Sequence, residues 1–140
     1  MTTKDIGNKA EAMYIAEFLK YGIPISIPFG NSEPYDIIIK TKDGFKSVQI
    51  KHATYKNGCV VAYPKKFIGY NKKFCVTYEG LCDYIGLWCE EINKFYLLSM
   101  EECGHRKTLM LRVKPPEHGN KISTIVWADK YELKIKIKEL

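Results

Sequence analysis

Two short apolar runs joined at Asp43-Gly44 decide what this chain can become. Tyr35–Lys40 is rich in β-branched residues and Phe45–His52 alternates, so both read as strands. Both central positions of a type I′ turn need positive φ, and Asp43-Gly44 suits them, so the pair reads as a hairpin turn. A two-residue turn there sets Lys42 opposite Phe45, Ile38 opposite Gln49 and Asp36 opposite Lys51. Gln49 and Lys51 are two apart and share one face of their strand, and Asp36 joins them there. A one-residue slip would move Asp36 to the other face. An acid, an amide and an ammonium thus converge on an apolar hairpin. Plain solvent-facing sheet positions would also hold such residues. A carboxylate inside the first helix, a Gly/Asn/Ser loop just before Asp36 and a net charge of +6 argue instead for chemistry on a polyanion.

Lys4–Tyr21 reads as that helix, stopped by Gly22 with Pro24 beyond it. Ile6, Ala10, Met13 and Glu17 follow one helical row; Glu11, Ile15, Phe18 and Gly22 follow the next. Glu11 therefore lies on or beside the apolar stripe. Buried without a partner it would cost roughly several kcal/mol. Water at the stripe's edge would satisfy it, and so would a metal or a lysine on the neighbouring strands. Ile23–Phe29 carries two prolines and reads as a short edge strand. In and after it, Ser26 and Asn31 are candidate phosphate contacts, with ordinary turn chemistry as the alternative.

Beyond the hairpin, Asn57-Gly58 marks another turn and Val60–Tyr63 another strand. His52 falls on the face opposite Lys51, placed to pack or to touch DNA. Tyr63–Tyr78 interleaves Lys65, Lys66, Lys72 and Lys73 with aromatic residues. That composition suits a surface holding phosphates and bases, or a tyrosine-rich loop with solvated lysines. Tyr84–Trp88 fits a buried strand, Lys94–Ser99 another, and Ser99 with Glu102 a capping box on a short helix. Thr108–Val113 alternates, with Arg112 on its polar side available to a phosphate or a carboxylate. Glu132–Leu140 alternates Leu133, Ile135 and Ile137 against three lysines, the pattern of an edge strand with a lysine face.

Asp36, twelve intervening residues and Gln49-Ile50-Lys51 resemble the core of the PD-(D/E)xK nucleases, with Pro34-Tyr35-Asp36 where that family has Pro-Asp. The blocks Lys4–Ala12, Ile25–Gly30 and Tyr35–Ile38 resemble the group I intron-associated homing endonucleases, as do Cys82–Ile85, Lys94–Leu98 and Leu111–Val113. The likeness covers most of the chain, and the ordered series of blocks is more specific than the triplet. It implies an α/β, restriction-endonuclease-like core: a mixed, mostly antiparallel sheet flanked by helices. It also implies a first-helix glutamate at the place of Glu11 and metal-dependent cleavage of double-stranded DNA. The charge of a phosphodiester repels nucleophiles, and a divalent cation offsets it. Mg²⁺, with Mn²⁺ as a substitute, takes oxygen ligands. Asp36 is then the primary ligand, with the Gln49 amide oxygen and the Ile50 carbonyl beside it and Glu11 binding directly or through water. Lys51 would stabilise developing charge or orient the attacking water. Gln49 departs from the usual Asp or Glu; it keeps the oxygen but drops a negative charge, which weakens metal affinity. Within the group that the chain resembles, glutamine is a tolerated variant.

At 140 residues the chain reads as a single endonuclease domain, 1–140. It has no apolar run near the ~20 residues that span a bilayer and no apolar leader, so the expectation is an intracellular, cytoplasmic protein without membrane contact. Five cysteines without a Cys-x-x-Cys read as free thiols; Cys82, Cys89, Cys103 and His105 fit no common zinc spacing. One subunit carries one such site, so cutting both strands of a long target calls for a homo-oligomer, at least a dimer. Likeness to homing enzymes implies a tetramer, with the lysine-faced tail and Tyr84–Tyr96 as candidate contacts. The expected function is sequence-specific double-strand cleavage of the homing type. The alternatives are a nuclease resembling Holliday-junction resolvases and a DNA-binding module whose Gln49 marks a lost catalytic site.

Overall fold

A computed structural model of the protein describes residues 1–70, 74–117 and 125–140. Lys72 and Lys73 lie outside these residues. Helix α1 (Thr3–Lys20) starts on a Thr2/Asp5 capping box: the Asp5 amide donates to Thr2 Oγ1 at 3.1 Å and the Thr2 amide to Asp5 Oδ2 at 2.9 Å. It ends at Tyr21, and Gly22 follows at φ +75°. Its buried row is Ala10, Tyr14 and Phe18. The expected row through Met13 is shifted, and Met13 is exposed. The reason is Tyr14, whose hydroxyl donates to the Tyr96 carbonyl at 2.6 Å, so the whole ring can enter the core with its polar tip satisfied.

The sheet is built on one long strand. The chain supplies β1 (Ile25–Ser26), β2 (Ile37–Thr41), β3 (Gly44–Lys56), β4 (Cys59–Ala62), β5 (Lys65–Ile68) and β6 (Phe74–Thr77). Next come β7 (Tyr84–Cys89), β8 (Lys94–Ser99), the short helix α2 (Met100–Cys103), β9 (Leu109–Arg112) and helix α3 (Leu133–Lys136). The main sheet runs β1-β2-β3-β4-β9, with β7 and β8 continuing from β3. β7 lies parallel to β3, and the other strand pairings of this sheet among the described residues are antiparallel. Ile37, Ile39, Val48 and Ile50 pack with α1 on one face. Ala53, Val60, Ile85, Leu87, Tyr96, Leu98 and Leu111 pack on the other. This is the mixed, mostly antiparallel α/β arrangement that the sequence led us to expect. Among the described residues no helix is long and apolar enough to cross a membrane.

The central hairpin differs from its expected register by two residues. Thr41 pairs with Gly44 and Ile37 with Val48, so the loop is Lys42-Asp43, not Asp43-Gly44. Gly44 takes φ +106° while Asp43 keeps a negative-side φ, which rules out a type I′ turn centred on them. Thr41 Oγ1 accepts from the Asp43 amide at 3.2 Å and fixes this tighter closure. β2 begins only at Ile37; Asp36, just before it, donates its amide to the Val48 carbonyl at 3.0 Å and accepts from the Ile50 amide at Oδ2, so it lies against Val48 and Ile50 at the edge of β3 and not opposite Lys51. The true type I′ pair is Asn57-Gly58, with φ of +51° and +78°, joining β3 to β4.

Two segments depart from their sequence patterns. Lys65–Ile68 and Phe74–Thr77 form a separate two-stranded ribbon, β5 with β6. Glu132–Leu140, expected as a strand, forms α3 and a further 3₁₀ turn. Leu133, Ile137 and Leu140 also fit a helical spacing, and the helix delivers all three to the α1-side core while Ile135 stays exposed. Lys136 is buried and pairs with Glu102 at 2.6 Å and Glu139 at 3.2 Å. Leu133 and Lys136 of the tail, and Ile85–Cys89 with Tyr96, are buried within the chain.

Gly86 on β7 lies against Tyr14: a Cβ there would sit 2.8 Å from Tyr14 Cζ. Gly86→Ala therefore overpacks the α1–sheet contact, and we expect a loss of about 1–3 kcal/mol, read as a lower urea midpoint at unchanged slope.

Candidate active site

The site arises where β3 loses a neighbour. Backbone groups of even-numbered β3 residues face the edge shared by β2 and β4: the Val48 carbonyl accepts from the Asp36 amide at 3.0 Å, and Thr54 and Lys56 lie in the β4 pairing. Paired β2 residues stop at Ile37, opposite Val48, and β4 begins only opposite Thr54. Ile50 and His52 fall in the gap. Asp36 closes its upper end: its Oδ2 accepts from the Ile50 amide at 2.7 Å. The Ile50 carbonyl points into the same gap, where Gln49 Nε2 donates to it at 3.3 Å.

Helix α1 crosses this gap, and a cavity of about 410 Å³ opens between helix and strands. From the strands, Asp36, Gln49, Ile50, Lys51 and His52 line it. From the helix, Thr3, Lys4, Ile6, Gly7, Asn8 and Glu11 line it, with Lys4, Gly7, Asn8 and Glu11 related by spacings of three and four. Sequence reading had singled out Glu11 alone among these; the spacing was available, but the gap that gives it meaning was not.

The cavity lining carries two carboxylates, Glu11 and Asp36, and two ammonium groups, Lys4 and Lys51. Burial pushes the Asp36 carboxyl above its usual range, against the pull of the Ile50 amide and the Lys51 ammonium. Burial also raises the Glu11 carboxyl, and the Asp36 charge raises it further. Lys51 is half-buried, its Nζ 5.0 Å from the centre of the Tyr78 ring. His52 turns toward the helix side, 3.4 Å from Glu90 Oε2 and edge-on to Trp88; Lys9 forms an ion pair with the same Glu90.

The donors facing the cavity are oxygens: two carboxylates, an amide and a backbone carbonyl. That chemistry fits a hard divalent cation such as Mg²⁺. Among the described residues no three His, Cys, Asp or Glu side chains cluster as a metal site, because two of the four donors here are of other kinds. The remaining predicted residues lie elsewhere. Ser26 and Asn31 are exposed, and Lys65 and Lys66 are half-buried on the β5–β6 ribbon. Arg112 Nη1 donates to the Asn57 carbonyl at 3.0 Å and supports the β3–β4 turn, away from this cavity's lining. All five cysteines are free, four of them buried, and burial raises the Cys82 thiol to about 11.

The solved structure of a bacterial homing endonuclease, I-Ssp6803I, is similar in fold, with a TM-score of 0.76, 19% identity, and coverage of 99% of this chain and 97% of that one. No curated protein matches the chain in sequence. A family model described as PD-(D/E)XK endonuclease matches residues 1–134. With that match spanning nearly the whole chain, this protein belongs to the PD-(D/E)XK endonuclease family.

Proposed function

We propose that the protein is a metal-dependent, sequence-specific endonuclease of double-stranded DNA, of the homing type, working as a homo-oligomer of single-domain subunits. One observation carries the reading: Glu11 and Asp36, both raised above their usual range, share one cavity with Lys51. Two partly buried carboxylates that repel each other contribute little to holding a fold together, and they make a good cation receiver. Asp36, Glu11, the Gln49 amide oxygen and the Ile50 carbonyl would hold the cation, Mg²⁺ or Mn²⁺. When bound, it supplies charge neutralisation at the phosphate and lowers the pKa of the attacking water. Lys51 supplies positive charge where negative charge develops on the phosphoryl oxygens. Likeness to a structure named as a homing endonuclease supports the homing type over other nucleases of the fold. The basic chain, with Lys65, Lys66, Lys72, Lys73, Ser26, Asn31 and Arg112 as candidate backbone contacts, suits a long duplex. One site per subunit and two strands to cut favour a dimer or a tetramer.

The test is a library of randomised duplex sites digested in Mg²⁺, with the cut ends sequenced and four-way junctions digested in parallel. Enrichment of one extended sequence supports the proposal. Cleavage of junctions without sequence enrichment would favour a resolvase, and binding without cleavage of either would favour a DNA-binding module.

Gln49 gives a further prediction. Gln49→Glu adds a negative charge to the donor set and should lower the Mg²⁺ concentration for half-maximal cleavage by about tenfold. An unchanged metal titration would remove Gln49 from the ligand set.

A further inference from the structure

We propose that Gly7 is a clearance residue: its missing side chain lets the DNA backbone seat against α1 within reach of Glu11 and Asp36. This rests on the nuclease reading above and adds which part of the cavity wall the phosphodiester touches.

Glycine in a helix interior is unfavourable by about 1 kcal/mol relative to alanine. Gly7 is the fifth residue of an 18-residue helix that is otherwise well capped. Two internal reasons commonly justify such a glycine, and neither applies. Its backbone is not in the positive-φ region. Nor does the chain crowd it: a Cβ at Gly7 would meet no atom within 4 Å. Gly86 shows the contrast, since there a Cβ would clash with Tyr14 at 2.8 Å. The remaining reason is close approach by something outside the chain.

The position says what approaches. Gly7 lines the cavity one helical turn before Glu11, across from Asp36 and Lys51. Lys4 and Asn8 flank it on the same wall. The helix thus presents an ammonium, a bare stretch of backbone, an amide and a carboxylate in order. An ammonium and an amide donor suit phosphate oxygens on either side of a seated diester. The bare backbone at Gly7, between the Ile6 and Asn8 side chains, admits the sugar-phosphate chain, and a side chain there would hold it off the carboxylates.

The test compares Gly7→Ala, Gly7→Gln and the matched control Ala16→Gln, which is exposed on α1 outside the cavity. Thermal melting and nicking, in Mg²⁺, of a supercoiled plasmid carrying the site enriched from the randomised library are measured for each, beside the wild type. Both Gly7 variants should melt higher than the wild type yet nick more slowly, by roughly tenfold for alanine and about a hundredfold for glutamine, because displacement of the scissile group by about an ångström is that costly. Ala16→Gln should nick normally. Wild-type nicking by Gly7→Gln, a lower melting temperature for Gly7→Ala, or equal loss in Ala16→Gln would each overturn the inference while leaving the nuclease reading standing. Failure of the wild type itself to nick DNA would remove that reading and this one with it.

Discussion

Asp36→Asn should abolish cleavage and, in the absence of metal, stabilise the fold. The asparagine oxygen still accepts from the Ile50 amide, so the bond that closes the gap in β3 survives. What is lost is the charge that would hold the cation. We expect cleavage to fall by on the order of a thousandfold or more. The stability gain follows from linkage. Burial raises the Asp36 pKa above its ordinary 3.8, so the folded state binds this proton more tightly than the unfolded chain. Its contribution is therefore fully present below the ordinary carboxylate range and is lost as pH rises through the raised value. At neutral pH the wild type carries the unfavourable charge and the variant does not. The difference in melting temperature should thus be present at pH 7 and fade as pH falls through the carboxylate range. Removing the Asp36 charge also relieves Glu11, which that charge pushes up. Added Mg²⁺ or Mn²⁺ should raise the melting temperature of the wild type and leave Asp36→Asn unmoved. A variant that melts lower than the wild type at pH 7 without metal would contradict this electrostatic account.

Lys51→Met should separate binding from chemistry. Methionine keeps an unbranched apolar stem to rest on the Tyr78 ring, where the lysine Nζ now sits 5.0 Å from the ring centre. Packing is thereby largely retained and the positive charge beside Asp36 is removed. We expect cleavage to fall by about a hundredfold to a thousandfold. DNA binding should change far less, with the salt slope falling by roughly one, since a single phosphate contact is at stake. Loss of affinity in proportion to activity would assign Lys51 to DNA binding instead. Lys51→Arg is no conservative control, because a planar guanidinium also stacks on the ring but presents a rigid fork of donors where lysine presents a compact point charge.

Much of this architecture was legible in the residues, and the misreadings have local causes. Helix α1 announced itself through Gly22 and its apolar rows, but the rows misassigned the buried face because Tyr14 hides a hydroxyl that finds the Tyr96 carbonyl. Of the two turn signals, Asn57-Gly58 adopts the paired positive φ and Asp43-Gly44 does not; the Thr41 hydroxyl, which decides between them, is invisible to a dipeptide rule. Asp36, Gln49 and Lys51 line one cavity despite the register error, with Asp36 held at the edge of β3 by the Ile50 amide. The tail failed as a strand because Leu133, Ile137 and Leu140 satisfy a helical period as well as alternation, and the core on the α1 side selects the helix. Glu11 was legible as a carboxylate on an apolar stripe. Lys4, Gly7 and Asn8 were not, since their significance depends on where β2 and β4 part from β3, and no local pattern encodes that.

The central claim is that the cavity between α1 and the β3 edge is where cation and phosphodiester meet. Its most direct test is nicking and linearisation of a supercoiled plasmid carrying the library-selected site by wild type and Asp36→Asn, each in Mg²⁺, Mn²⁺ and EDTA, with both proteins shown to be folded by circular dichroism. The account predicts cleavage by the wild type in either metal, none in EDTA, and none by Asp36→Asn under any condition. Cleavage that persists in EDTA, or in folded Asp36→Asn at a rate near the wild type, would contradict it.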